Sequence, residues 1–254
     1  MNPELKPAPL LSLHGLRFAY PGGPELLQGI DLHLQAGQCH VLLGRSGCGK
    51  SSLLKIAAGL MSPSTGEVRW RGQPVRGPGP EVALVFQRPT LLEWLSVLDN
   101  VLLPISLHRR VRAEDHHLAL HWLAKLGLAG LAHRAPTQLS GGQQSRVAIA
   151  RAWMQRPSLL CMDEPFSALD ALTREDLQQD LLTVCIEQGT AVLFVTHDLH
   201  EAAFLGERVS LLHHGRLAPG VELSEPRPRN SRWREAPTFH AACAQLRRAL
   251  ETCT

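Results

Sequence analysis

The sequence predicts an α/β fold with a mostly parallel sheet, an antiparallel β portion at the N-terminus and an inserted α-helical subdomain. Three observations carry this. Short apolar runs at residues 39–43, 82–86, 159–162, 191–196 and 208–213 have strand length and alternate with helix-forming stretches. Between Arg88 and Arg156 the character is helical throughout. Ahead of these, Leu11, Leu13 and Phe18, then Leu32 and Leu34, alternate with polar residues as half-buried strands do.

Taken in order, the run at 39–43 is a buried strand that ends in glycine. A helix over 51–58 follows, closed by Gly59 and then Pro63. In the helical stretch, Leu118, Leu120, Trp122, Leu123 and Leu126 approximate one apolar stripe. His214-Gly215 is a tight turn into Arg216. After Gly220 the chain is rich in Pro and Arg, and it closes with a short amphipathic segment around Leu246 and Leu250. No repeat of fixed period is visible, so one unit is expected and not a fused pair. The predicted layout is a tail over 1–10, a body over 11–220 with the helical insert at about 88–156, and an extension over 221–254.

Composition narrows the class. Of 254 residues 44% are hydrophobic, enough for one substantial core, and 19% are charged, too few for wholesale disorder. A net charge of +3 gives no argument for nucleic acid. Six cysteines show no CxxC pair, and several sit in apolar runs, as reduced core-filling thiols do in cytosolic proteins. Met1-Asn2-Pro3-Glu4-Leu5-Lys6-Pro7 lacks a signal-peptide layout, and no apolar run approaches the roughly 18 residues of a spanning helix. Any membrane link is expected to run through a partner. His116, His117 and His121 fall close together on a predicted helix but lack the further ligands of a metal site, and read as a solvated face.

Gly44-Arg45-Ser46-Gly47-Cys48-Gly49-Lys50-Ser51 fits the P-loop pattern in the required strand-to-helix context, and Ser52 extends the binding set. Glycines let backbone N–H groups wrap phosphates, and the next helix aims its positive end at the anion. Lys50 can reach the β/γ-phosphates, and the Ser51 hydroxyl can ligate Mg²⁺. Cys48, inside the loop, reads as a small filler. The fold is therefore a P-loop NTPase core, which leaves kinases, GTPases and many ATPases open.

Leu139-Ser140-Gly141-Gly142-Gln143 narrows the field. Ser140 and Gln143 satisfy the capping-box spacing, placing a helix N-terminus bordered by two glycines where a second phosphate can be gripped from outside. This string resembles the signature of the ATP-binding cassette (ABC) superfamily, and its neighbours agree in order. Leu159-Leu160-Cys161-Met162-Asp163-Glu164-Pro165 resembles the Walker B strand. The resemblance implies that Asp163 holds Mg²⁺ and Glu164 activates the attacking water. Ser167-Ala168-Leu169-Asp170 looks like the D-loop, which communicates across a dimer. Gln87 resembles the Q-loop glutamine that touches Mg²⁺ or the water and senses the transporter. His197 resembles the switch histidine at the γ-phosphate. Tyr20, the chain's single tyrosine, resembles the aromatic that stacks on adenine, while Phe18 fills the buried strand position. The resemblance runs from Leu11 to Arg216.

That resemblance implies two copies facing head to tail, with each ATP between the 44–51 loop of one and Ser140–Gln143 of the other. It also implies integral permease subunits, an indirect solute-binding protein, and a place at the cytoplasmic face of a bacterial membrane. The apolar string from Pro89 to Val101, and the 163–174 stretch, are close to those of nitrate, sulfonate and taurine importers. An importer ATPase of that group is the reading. The alternatives are an exporter or lipid-extraction ATPase, and an ABC ATPase acting on ribosomes or DNA. Gln144-Ser145-Arg146 departs from the family, which commonly carries more polar or basic residues where Ser145 stands.

Overall fold

A computed structural model describes residues 8–167, 169–225 and 229–252. Residues 1–7, Ala168 of the 167–170 string, residues 226–228 of the Pro/Arg-rich stretch and Cys253 lie outside the described residues.

Strands β1 (Leu11–Ala19) and β2 (Glu25–Leu34) form an antiparallel pair whose inward residues alternate as the sequence pattern requires. After β3 (Cys39–Leu43) comes α1 (Lys50–Ala57). Strands β4 (Thr65–Trp70) and β5 (Gln73–Pro74) complete a four-stranded sheet of order β2-β1-β4-β5. Strand β6 (Val82–Val85) leads into the helical insert, made of α2 (Val97–Ser106), α3 (Ala113–Lys125) and α4 (Gly141–Trp153). Next come β7 (Leu159–Asp163), α5 (Ala171–Gln188), β8 (Ala191–Thr196), α6 (Leu199–Leu205) and β9 (Arg208–His213). Strands β10 (Arg216–Leu217) and β11 (Val221–Glu222) and helix α7 (Pro237–Thr252) end the described chain. The turn into β10 has His214 and Gly215 both at positive φ, the conformation that tight hairpins use.

The large sheet has order β10-β9-β3-β8-β7-β6, and its five strands from β9 to β6 are parallel. Alternate residues of those strands belong to two cores. Val41, Leu160, Met162 and Phe194 face the helices α2 to α7, while Leu42, Cys161, Leu193 and Val195 face α1 and the antiparallel sheet. Burial on both faces is why these strands read as continuous apolar runs.

Two details correct the sequence reading. On α3 the buried stripe is Ala119, Trp122 and Leu123, followed by Leu126; Leu120 is 40% exposed, because it lies one position off the helical period. The terminal segment is a sixteen-residue helix, with Phe239 and Leu246 buried against the main core. Among the described residues, no helix is long and apolar enough to cross a membrane.

Candidate active site

Strand register builds the site before any side chain is considered. Leu43 pairs with Thr196, Val195 with Asp163, and Met162 with Val85. The first residues beyond three adjacent strands are therefore Gly44, His197 and Glu164, with Gln87 two residues past the end of the outer strand. This lies beyond the carboxyl ends, where the chain leaves central β3 for the edge strand β6, the position at which open α/β sheets place ligands.

The loop after β3 has room only for glycine at two points. A Cβ on Gly44 would stand 2.5 Å from the Leu212 carbonyl oxygen and 2.9 Å from Cys48 Sγ. Gly49 has φ 103°, and a Cβ there would meet Leu27 Cδ2 at 2.9 Å. Helix α1 then starts with no side-chain cap and no acidic residue in its first turn, so its positive end faces the loop without an internal counter-charge. The Lys50 side chain is 4% exposed and curls back into this loop. It donates to the carbonyl oxygens of Gly44 (2.8 Å) and Arg45 (2.9 Å) and lies 3.9 Å from Glu164 Oε1.

Ser51 Oγ donates to Asp163 Oδ1 at 2.9 Å. Burial pushes the Asp163 carboxyl above the usual carboxylate range, against the opposing pull of the Ser51 bond. Two oxygen ligands on facing elements, a half-buried hydroxyl and a buried, under-compensated carboxylate, suit a small hard cation such as Mg²⁺. Glu164 adopts φ 44°, costly for a non-glycine residue by about 1–3 kcal/mol, and its N–H is held by the Val195 carbonyl at 3.0 Å. That twist accompanies a carboxylate with Oε2 3.0 Å from His197 Nδ1.

Tyr20, Ser46, Gly47, Gly49, Lys50, Ser51, Ser52, Gln87 and Glu164 line one cleft of about 520 Å³, within the size range of small-molecule sites. The Tyr20 ring is 48% exposed at this cleft, its hydroxyl 3.0 Å from Ser52 Oγ and its edge against buried Phe18. Cys48 is partly buried, and burial raises its thiol above the ordinary range, as a filler requires.

Ser140, Gly141, Gly142, Gln143 and Asp170 do not line this cleft. Ser140 caps α4: its Oγ accepts from the Gln143 N–H (3.3 Å), and its own N–H donates to Gln143 Oε1 (3.0 Å). Asp170 caps α5 by accepting from the Thr173 N–H at 3.0 Å, which holds its carboxyl below the usual range. A Cβ on Gly142 would touch Leu169 Cδ2 at 3.0 Å, so the two helix starts lie side by side. Ser145, the departure noted above, is buried and donates to the Gly141 carbonyl at 3.1 Å.

Sequence reasoning missed several neighbours of the site. Gly23, Pro24 and Leu26 line the cleft from the β1–β2 hairpin. Arg247, Leu250 and Glu251 of α7 border a second hollow of about 360 Å³ with Gly44, Arg45, Ser46 and His197. The apolar spacing of the terminal segment announced a short amphipathic stretch, but no local signal gave the length of α7 or its docking place.

A phosphate-sized loop beside a carboxylate pair, with a separate capped helix start exposed on another surface, is the organisation of a nucleotide-binding cassette. The chain belongs to the ABC transporter family, whose model matches residues 27–167. Among curated relatives, it is similar to the taurine import ATP-binding protein of Chromobacterium violaceum, 47% identical over 87% of this chain and 85% of that one. The nitrate import ATP-binding protein of Synechococcus elongatus is 42% identical over 92% and 86%, respectively. The aliphatic sulfonates import ATP-binding protein of Rhizobium johnstonii is 43% identical over 86% and 79%. A solved dimer of an ATP-binding cassette in a post-hydrolysis state with ADP and Pi superposes with TM-score 0.77 at 32% identity, covering 85% of this chain and all of that one.

Proposed function

We propose that this chain is the ATP-binding and ATP-hydrolysing subunit of an ABC importer, and that a pair of such chains drives solute uptake through a membrane permease of the nitrate, sulfonate and taurine type. The observation that carries the hydrolytic reading is the Ser51–Asp163 contact at 2.9 Å, beside Lys50 and Glu164, at one mouth of the sheet. The names of the relatives support import over export, lipid extraction or work on ribosomes or DNA.

In this reading the 44–52 loop and the start of α1 wrap the phosphates of ATP. Lys50 exchanges its bonds to the Gly44 and Arg45 carbonyls for phosphate oxygens. Ser51 and Asp163, with Gln87 nearby, would hold Mg²⁺, which would supply charge neutralisation for the β- and γ-phosphates. Glu164 takes the proton of the attacking water, and His197 orients that carboxylate and reaches toward the γ-phosphate. Tyr20 offers a face for the adenine. Ser140–Gln143 and Asp170 lie off the cleft, which fits their serving a nucleotide on a second copy, head to tail. The permease and an indirect solute-binding protein then place the chain peripherally at the cytoplasmic face of the membrane, with the exposed Trp94 beyond Gln87 toward the permease.

The test is reconstitution with integral permease subunits that bind it. ATP-dependent accumulation of a sulfonate, taurine or nitrate inside vesicles is the expected result. Hydrolysis without inward transport of any of these would overturn the assignment to the nitrate, sulfonate and taurine type.

A further inference from the structure

The polar groups around α6 have no part in the chemistry above, yet they flank the residue that contacts Glu164. Thr196 and Asp198, on either side of His197, are tied to each other: the Asp198 N–H donates to Thr196 Oγ1 at 3.0 Å. The same hydroxyl donates to Glu201 Oε2. Glu201 is 6% exposed, and its other oxygen accepts from Gln178 Nε2 at 3.2 Å. Gln178, 1% exposed on α5, passes the contact on, because its Oε1 accepts from Arg234 Nη2. Arg234 belongs to the segment between β11 and α7. Its guanidinium lies 3.7 Å from the centre of the Phe204 ring on α6 and 3.8 Å from Glu175. Arg174 supports the same group, 3.5 Å from Asp198 and 4.0 Å from Glu201. The far end of α6 is held from the same segment. Arg229 Nη1 donates to the carbonyls of Ala203 (2.8 Å), Phe204 (3.0 Å) and Gly206 (2.8 Å), the acceptors a helix leaves unpaired at its end.

Resting on the ATPase reading, we propose that Arg234 is a positioning residue for His197, acting through Gln178 and Glu201 on the Thr196 hydroxyl. The physics is that of a buried hydrogen-bonded chain. Each oxygen of buried Glu201 has one direct donor, so losing either donor leaves a buried carboxylate oxygen without its hydrogen bond. Gln178 can present its amide nitrogen to Glu201 only while its oxygen faces a donor, and Arg234 is that donor. Without it, the Gln178 amide is free to turn over, and Glu201 loses a partner. Thr196 then has no fixed acceptor, and the turn bearing His197 loses its staple. A rigid α6 clamped at its far end by Arg229 carries such a shift to its first turn instead of absorbing it. The Pro/Arg-rich stretch thereby becomes part of the catalytic frame, and nucleotide binding, which rests on the 44–52 loop and Tyr20, should be spared.

The test is steady-state hydrolysis by the full chain in its transporter, with Arg234→Gln, Arg234→Lys, Thr196→Val and the Arg234→Gln/Thr196→Val double variant. Rates are expressed per site that binds MgATP. Arg234→Gln should lower kcat about 10- to 100-fold with KM for ATP little changed. Arg234→Lys, which keeps a cationic donor, should recover most of it. The double variant should be no slower than the slower single, the mark of one shared chain of contacts. Wild-type kcat in folded Arg234→Gln, or fully additive losses, would overturn the proposal. If Arg234→Gln is not recovered folded, Gln178→Met cuts the same chain from within, and unchanged kcat there is equally fatal. Glu164→Gln run in parallel separates the two claims: its inactivity upholds the ATPase reading whatever Arg234 does.

Discussion

His197 Nδ1 stands 3.0 Å from Glu164 Oε2. A carboxylate and a phosphate oxygen both accept hydrogen bonds, so His197 can serve Glu164 and a γ-phosphate together only when both ring nitrogens carry hydrogen. A neutral ring must choose one of them. In the proposed mechanism the pair would link the base to the terminal phosphate, and it stands just past the two strands that pair at Val195 and Asp163.

Glu164→Gln keeps the size of the side chain and removes the proton acceptor. Turnover should fall by about 10²–10⁴-fold, the usual contribution of a general base, while MgATP binding persists. The variant should also accumulate as an ATP-bound dimer in size-exclusion chromatography. Wild-type turnover would show that another group takes the proton.

Lys50→Ala removes a buried ammonium held by two loop carbonyls. The fold should survive, with MgATP affinity reduced and hydrolysis lost, because the phosphates lose their main cationic contact. Calorimetry reads the outcome, and unchanged affinity would contradict the role given to the loop.

Gly142→Asp places a carboxylate at the start of α4, where a Cβ already meets Leu169 at 3.0 Å. The cleft around Lys50 lies elsewhere, so the isolated chain should still bind ATP. Dimerisation and hydrolysis should fail, through bulk and through like charge against the incoming phosphate. Loss of ATP binding by the monomer would mean that Ser140–Gln143 serve their own chain, and the head-to-tail arrangement would be wrong.

Asp163→Asn should raise thermal stability at pH 7 while abolishing Mg²⁺-dependent hydrolysis. Burial raises the Asp163 pKa above its unfolded value. The folded state therefore holds the proton more tightly, and stability falls as pH rises from the ordinary carboxylate range through the raised value. Above that window the ionised group opposes folding, and an amide relieves it. The Tm gap between variant and wild type should close as pH falls toward 4. A gap that widens on acidification would reverse the sign and refute the argument.

Much of this site was legible before the structure because its chemistry is local. The 44–51 loop needs glycines at fixed offsets from one lysine, and Ser140 with Gln143 closes a cap within a single turn. Apolar runs of strand length at 159–162 and 191–196 gave both the sheet and the points at which Asp163, Glu164 and His197 leave it. Leu120 misled the pattern for a related reason: leucine is apolar wherever it stands, and one helical position decides whether it meets the core or solvent.

What the sequence by itself determined was therefore everything carried by neighbouring residues: the strand and helix periods, the loop's shape, the caps and the order of the motifs. What the tertiary structure alone decided were the distances between them. That Ser51 meets Asp163 across 112 positions, and His197 meets Glu164 across 33, follows from the register of β3, β8 and β7. The contact of Arg234 with Gln178, 56 positions apart, has no counterpart in composition or spacing, because a buried side-chain chain depends on how α5, α6 and the 229–235 segment pack. Backbone propensity acts over a few residues, whereas such packing is set by the closing of the whole core.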